Sequence, residues 1–193
     1  MKKLNFIILL FLIGCDQYDN ISEINSLTLP LYSETGKNTF GCLVNERVWT
    51  NYGKHRLGAE GGYGDNLLGS GFVKINNNAD TILYLSGRLS VVKKGDTIRE
   101  ESMSISLIKK QPFINEYELG LAENNRLLFT DYHGDYTSDD KKPLILNINK
   151  NELTLNGKRI VSGKFSGYIY NSNNSKDSLA ITGGIFDILV KDL

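Results

Sequence analysis

From Ser102 to Leu107 the chain reads Ser-Met-Ser-Ile-Ser-Leu, and beyond residue 38 a period of two, not 3.6, governs where apolar residues fall. Successive side chains of a strand point to opposite faces, so this period commits one face to a core and the other to water. Thr81 to Leu89 carries Ile82, Leu83, Tyr84 and Leu85 before Gly87, where a bulge is expected. Leu144, Leu146 and Ile148 alternate with polar or opposite-face residues, and Leu153 and Leu155 continue the series. Asn156-Gly157 then gives the strongest short hairpin signal, with a partner strand from Arg159 through Phe165 to Tyr170. Asn171 to Asp177 is a polar turn, and Ser178 to Val190 closes the chain with Gly183-Gly184 as a bend or bulge. Phe40 to Val44, a turn at Asn45-Glu46, and Arg47 to Thr50 make an opening hairpin. Only Glu116 to Asn124 has the spacing of one short helix. The expectation is an all-β domain, an antiparallel β-sandwich or closed β-barrel of about eight or nine strands.

One stretch breaks the pattern. Asn51 to Gly71 is rich in glycine and shows no alternation, yet it carries Tyr52, His55, Arg56 and Tyr63. Long irregular connections in compact domains are commonly functional or mobile. These four, with Trp49 beside them, are the candidate contacts for a ligand or partner. Trp49 reads first as a core or barrel-closing residue, because its large ring suits burial; a ligand platform is the alternative.

The amino terminus sets the compartment. Met1-Lys2-Lys3 is a short positive region, followed by an apolar run from Leu4 to Ile13 broken only by Asn5. A helix needs about twenty apolar residues to span a bilayer, twice what is present. The features are those of a cleaved secretory signal. Leu12-Ile13-Gly14-Cys15 resembles a lipobox, in which cleavage falls before a cysteine whose sulfur takes a diacylglycerol. Two or more acyl chains anchor a protein stably. The expected organisation is residues 1–14 as lipoprotein signal peptide, 15–38 as lipidated terminus and flexible tether, and 39–193 as a single domain. The membrane, held through lipid on Cys15, is therefore the first expected partner. The tether includes an apolar island at Leu27 to Tyr32, containing Pro30, whose alternative reading is an edge strand packed on the domain.

Charge and cysteine content exclude several classes. Lys plus Arg and Asp plus Glu are both 22. Lys2 and Lys3 leave with the signal, so the mature chain is slightly acidic and has no basic excess to draw nucleic acid. With Cys15 acylated, Cys42 has no intrachain partner, and among apolar neighbours it acts as a small buried hydrophobe. A nucleophilic Cys42 would want a histidine close by, and His55 and His133 are the only two. No catalytic residue is assigned.

Asp131-Tyr132-His133-Gly134-Asp135 with Asp139-Asp140 is the densest set of potential ligands. Its spacing is wrong for a calcium loop and no glutamate closes it, while zinc would want three or four His or Cys ligands. It reads as a solvated hairpin loop. Glu100-Glu101 and Asp139-Asp140 fall at expected turns or strand ends, where charge is ordinary. Gly69-Ser70-Gly71 lacks the strand-turn-helix setting of a nucleophile elbow, and Gly58 to Gly64 is not followed by the residues of a phosphate loop. No metal and no cofactor is expected.

Two segments carry a resemblance. Asn38-Thr39-Phe40-Gly41-Cys42-Leu43-Val44-Asn45-Glu46-Arg47-Val48-Trp49 resembles the N-T-F-G-C-x-V-N-G-x-V-W opening of a family of uncharacterised Bacteroidota lipoproteins. Ser162-Gly163-Lys164-Phe165 and Ile181-Thr182-Gly183-Gly184-Ile185-Phe186-Asp187 resemble that family's SGxF strand and I-T-x-G-x-F-D ending. Glu46 stands where the family often has Gly. The resemblance implies an outer-membrane lipoprotein and supplies no catalytic residues. Asp16 and Asp19 follow Cys15 as in surface-export signals, although an aspartate there can also retain a lipoprotein at the inner membrane, so the face is left open. The expected function is a membrane-anchored, non-catalytic binding or interaction module of the envelope. A calycin-like barrel holding a small apolar ligand and a surface glycan hydrolase are the alternatives.

Overall fold

A computed structural model describes residues 27–57, 62–75, 80–93, 96–110, 113–120 and 125–191. The expected signal peptide, Cys15 and the first part of the expected tether lie outside the described residues. Thirteen strands follow in order: β1 (Thr39–Val44), β2 (Arg47–Thr50), β3 (Lys54–Leu57), β4 (Gly62–Asp65), β5 (Leu68–Lys74), β6 (Asp80–Lys93), β7 (Asp96–Lys110), β8 (Asn115–Leu119), β9 (Arg126–Asp131), β10 (Gly134–Thr137), β11 (Leu144–Leu153), β12 (Lys158–Asn171) and β13 (Asn174–Lys191). No helix occurs among the described residues. The segment expected to be a short helix instead forms β8, whose residues pair with β11 from Leu144↔Leu119 to Ile148↔Asn115. Tertiary pairing has overridden a weak local pattern there, and residues 121–124 lie outside the description.

Eleven strands form one antiparallel sheet along the path β2-β1-β13-β12-β10-β9-β7-β6-β5, with β11 and β8 branching from β12; β3 and β4 form a separate pair. The path ends at β2 and β5 without joining, so the sheet is not closed into a barrel, and that expectation is corrected. It does turn back on itself. Cys42 Sγ on β1 lies 3.9 Å from Met103 Sδ on β7, five strands away along the ladder. The architecture is sandwich-like: opposed parts of one curled sheet enclose one core.

That core is the alternation made physical. Met103, Ile105 and Leu107 on β7, Leu83, Leu85 and Leu89 on β6, and Leu144, Leu146 and Ile148 on β11 are all buried. Each such side chain contributes about 1.5–3 kcal/mol. Phe40 packs edge-on to Trp49 at 5.2 Å and tilted against Phe165 at 5.6 Å. Gly87 makes no bulge, since β6 keeps register with β5 and β7 through it. Its missing Cβ leaves room for the rings of Phe40 and Trp49, which a methyl would meet at 3.1 Å. The bulge at Gly183 does form, where the β12–β13 register shifts between Phe165 and Gly167. The Asn156-Gly157 hairpin also forms, but Leu153 pairs with Arg159, which puts Leu155 in the turn and leaves it exposed.

Residues 27–38 run across the outside of the sheet as a strap. Leu27 packs against the core. Further along, Asp187 of β13 is 1 % exposed on the outer face of its strand. It accepts hydrogen bonds from the Ser33 hydroxyl, from the backbone amides of Thr35 (3.2 Å), Gly36 (2.8 Å) and Lys37 (3.0 Å), and from Ser162 Oγ (2.7 Å). Asn38, at φ 57°, accepts from the Leu189 amide before the chain enters β1.

Candidate functional site

The ends of the curled sheet approach each other where the chain leaves β2. Tyr52 makes a parallel bridge to Leu89 of β6: its amide donates to Arg88 O at 3.0 Å, and the Ser90 amide donates to Tyr52 O at 2.9 Å. Gly53 follows at φ 98°, with its α-carbon so near the Ser90 carbonyl that any Cβ would collide. Only glycine tolerates both conditions. The Gly53 amide donates to Asn66 Oδ1 at 2.9 Å and the Asn66 amide returns to Gly53 O at 2.8 Å. Asn51 Nδ2 donates to Asn66 O at 3.0 Å. These bonds close the base of a hairpin, β3–β4, that pairs with neither edge of the main sheet.

Much of the stretch from 51 to 71 is thus strand rather than irregular loop. Its two short strands were hidden because their residues are glycine, charged groups and a few aromatics, with no apolar face to reveal the period. His55 pairs with Gly64, and Arg56 with Tyr63. His55 is only 4 % exposed and its Nε2 finds no partner among the described residues. Burial lowers its pKa, as does the Arg88 guanidinium; Glu100 and a hydrogen bond with the Arg88 backbone pull the other way. The imidazole is therefore a neutral wedge that holds the hairpin's root against β6.

The five candidate residues divide. Trp49 is completely buried, so it belongs to the core and offers no surface to a partner. Tyr52 is half-buried at the seam, packed against the core. His55 is itself part of the hairpin, on β3, and is buried at its root. Arg56 and Tyr63 are brought opposite each other in the ladder; their side chains lie outside the description.

Sequence reading missed two buried carboxylates. Glu101 is mid-strand in β7 and 2 % exposed, not at a turn. Arg99 grips it with both Nε (2.7 Å) and Nη2 (2.9 Å), and Arg47 Nη1 approaches to 2.9 Å. Its parity with Met103, Ile105 and Leu107 was the available signal. Asp187 had no such signal, because it lies on the outer face and the strap that covers it is more than 145 residues away in sequence. Burial raises the Asp187 pKa, but hydrogen bonds from Ser33, Lys37, Ser162 and Gly36 outweigh it, and the net shift is downward. Both carboxylates are satisfied by protein groups and fasten the fold.

Cys42 is fully buried, and burial pushes its thiol pKa up, away from reactivity. Tyr132 and His133 form the turn between β9 and β10. Among the described residues, no three His, Cys, Asp or Glu side chains cluster as metal ligands.

Residues 92–189, a little over half of the chain, match a family described as a domain of unknown function, DUF5025. No curated protein and no solved structure matches the chain.

Proposed function

We propose, starting from a chain that belongs to the DUF5025 family, that it is a lipid-anchored, non-catalytic binding module of the bacterial envelope. The anchor is Cys15, the compartment is the outer membrane, and the partner is met through the β3–β4 hairpin. One observation carries the binding half. The hairpin stands outside the eleven-stranded sheet yet is fixed at its root by the Gly53–Asn66 pair and by buried His55. A rigid scaffold presenting a connection of this kind is how binding residues are commonly displayed. Arg56 and Tyr63, paired in that hairpin, are the residues assigned to contact, with Tyr52 at its base. The Leu12-Ile13-Gly14-Cys15 sequence supports the anchor.

The test is a cross-linked pull-down from detergent-solubilised membranes. It compares the native chain with Arg56→Ala/Tyr63→Ala and with a variant whose residues 54–65 are replaced by a short turn. Loss of the same partner in both variants is expected; an unchanged partner set would remove the hairpin from consideration. Mass spectrometry of the mature amino terminus tests the anchor separately, since an unacylated Cys15 would sink it.

A further inference from the structure

The strap carries more than a path from membrane to domain. Leu31 sits on it with 85 % of its surface exposed, although its neighbours are engaged: Pro30 packs over Gly41, and Ser33 to Lys37 close on Asp187. Next to it the Tyr32 ring covers the Lys164 ammonium of β12 at 4.8 Å, and the Tyr32 hydroxyl donates to Glu34 Oε1 at 2.5 Å. Lys150 Nζ holds the strap from the other side by donating to Glu34 O at 3.0 Å. Farther along the outer face of β12, Tyr168 is also exposed. An exposed leucine, two tyrosines with polar ends and a lysine on one face are the side chains favoured at a membrane–water interface.

We infer that this face, led by Leu31 and Tyr32 with Lys164 and Tyr168, rests on the lipid headgroups of the membrane that anchors the chain. The inference builds on the assignment of a lipid to Cys15. Eleven residues lie between Cys15 and the strap at Leu27, and even fully extended that stretch reaches only about 40 Å. The strap is thus the part of the domain tied closest to the bilayer, and Leu31 follows within four residues of its start. The clamp at Asp187 sets which way the face points, so a lipid that by itself only tethers would also orient the domain.

The experiment uses the mature, acylated protein in vesicles of phosphatidylethanolamine and phosphatidylglycerol. Cys15 is blocked and Cys42 is buried, so Leu31→Cys supplies the one reactive site for an environment-sensitive fluorophore. Tyr132→Cys, exposed on the β9–β10 turn, is the control. The expected result is a blue shift with quenching by spin-labelled lipid at position 31 and neither at position 132, weakened by Lys164→Glu. An acylated chain whose position-31 label matches the control overturns the docking while leaving the anchor intact. A missing acyl mass removes the anchor and this orientation with it. A blue shift that grows with protein concentration before vesicles are added would give the face to a second copy and likewise overturn the inference.

Discussion

Glu46 shows how a single residue can be at odds with a well-formed element. The β1–β2 turn places Asn45 at φ 45° and Glu46 at φ 67°, both in the left-handed region. Asn tolerates it; a glutamate costs about 1–2 kcal/mol relative to a right-handed conformation. Glu46→Gly should therefore raise stability, by about 0.5–1 kcal/mol once glycine's extra unfolded-state freedom is subtracted. Equilibrium urea unfolding checks it, and a lower midpoint would refute the strain. Asp187 carries the opposite lesson. Removing its charge leaves five donors facing a weaker acceptor, so Asp187→Asn should lose about 2–3 kcal/mol at neutral pH. The sign of its pH dependence follows from the lowered pKa. The stabilisation is present above the ordinary carboxylate value and is lost as pH falls through the depressed folded one. Native unfolding midpoints should thus drop steeply under acid, and the Asp187→Asn variant should show a shallower fall over the same range. The turn at Asn45-Glu46 was legible from residues alone, whereas Asp187's donors were not, because they arrive from a distant segment.

At the level of elements, sequence periodicity gave the strands with one apolar face and missed those without one. β6, β7, β11 and the β1–β2 hairpin announced themselves through alternating Leu, Ile, Met and Phe. β3 and β4 have four residues each and no apolar stripe, and β8 has Glu116 and Glu118 along an edge. What makes them strands is pairing with a distant neighbour or a closed base, and neither appears in a local window. The hairpin's dependence on His55 makes it sensitive to acid. Its folded pKa is lowered by burial and by Arg88, so neutral imidazole is the form the hairpin root accepts. Stability from this contact is complete above the ordinary histidine value of 6.5 and is lost as pH falls toward the folded one. Protection factors at Gly53 and Asn66, with the slower intrinsic exchange at lower pH divided out, should therefore fall between pH 7 and 5. His55→Gln, which cannot take up a proton there, should remove that fall. An equal fall in both proteins would show that the root does not titrate.

For the molecule as a whole, the question is what keeps a sheet of eleven strands curled around one core when its path does not close. Two devices span the gap: the Tyr52–Leu89 bridge, and the contact of β2 with β7 through Glu101. They differ in what a deletion leaves behind. Arg47 is partly exposed, so Arg47→Ala removes one arm of a pair that Arg99 still satisfies, and the cost should stay below about 1 kcal/mol. Glu101→Ala instead strands the mostly buried Arg99 guanidinium without its carboxylate, a loss of about 3–5 kcal/mol. Trp49, the only tryptophan, is buried next to Gly87 on the facing strand and reports on this closure. If the curled sheet is one cooperative unit, its fluorescence and the far-UV circular dichroism should lose their signals at the same urea concentration in the native chain. Glu101→Ala should shift both together, because the first and last strands are paired from Thr39↔Asp187 onward and neither half of the core is complete alone. A Trp49 transition that runs ahead of the dichroism would mean that the facing parts separate before the strands melt, and the seam would then be a hinge rather than a lock.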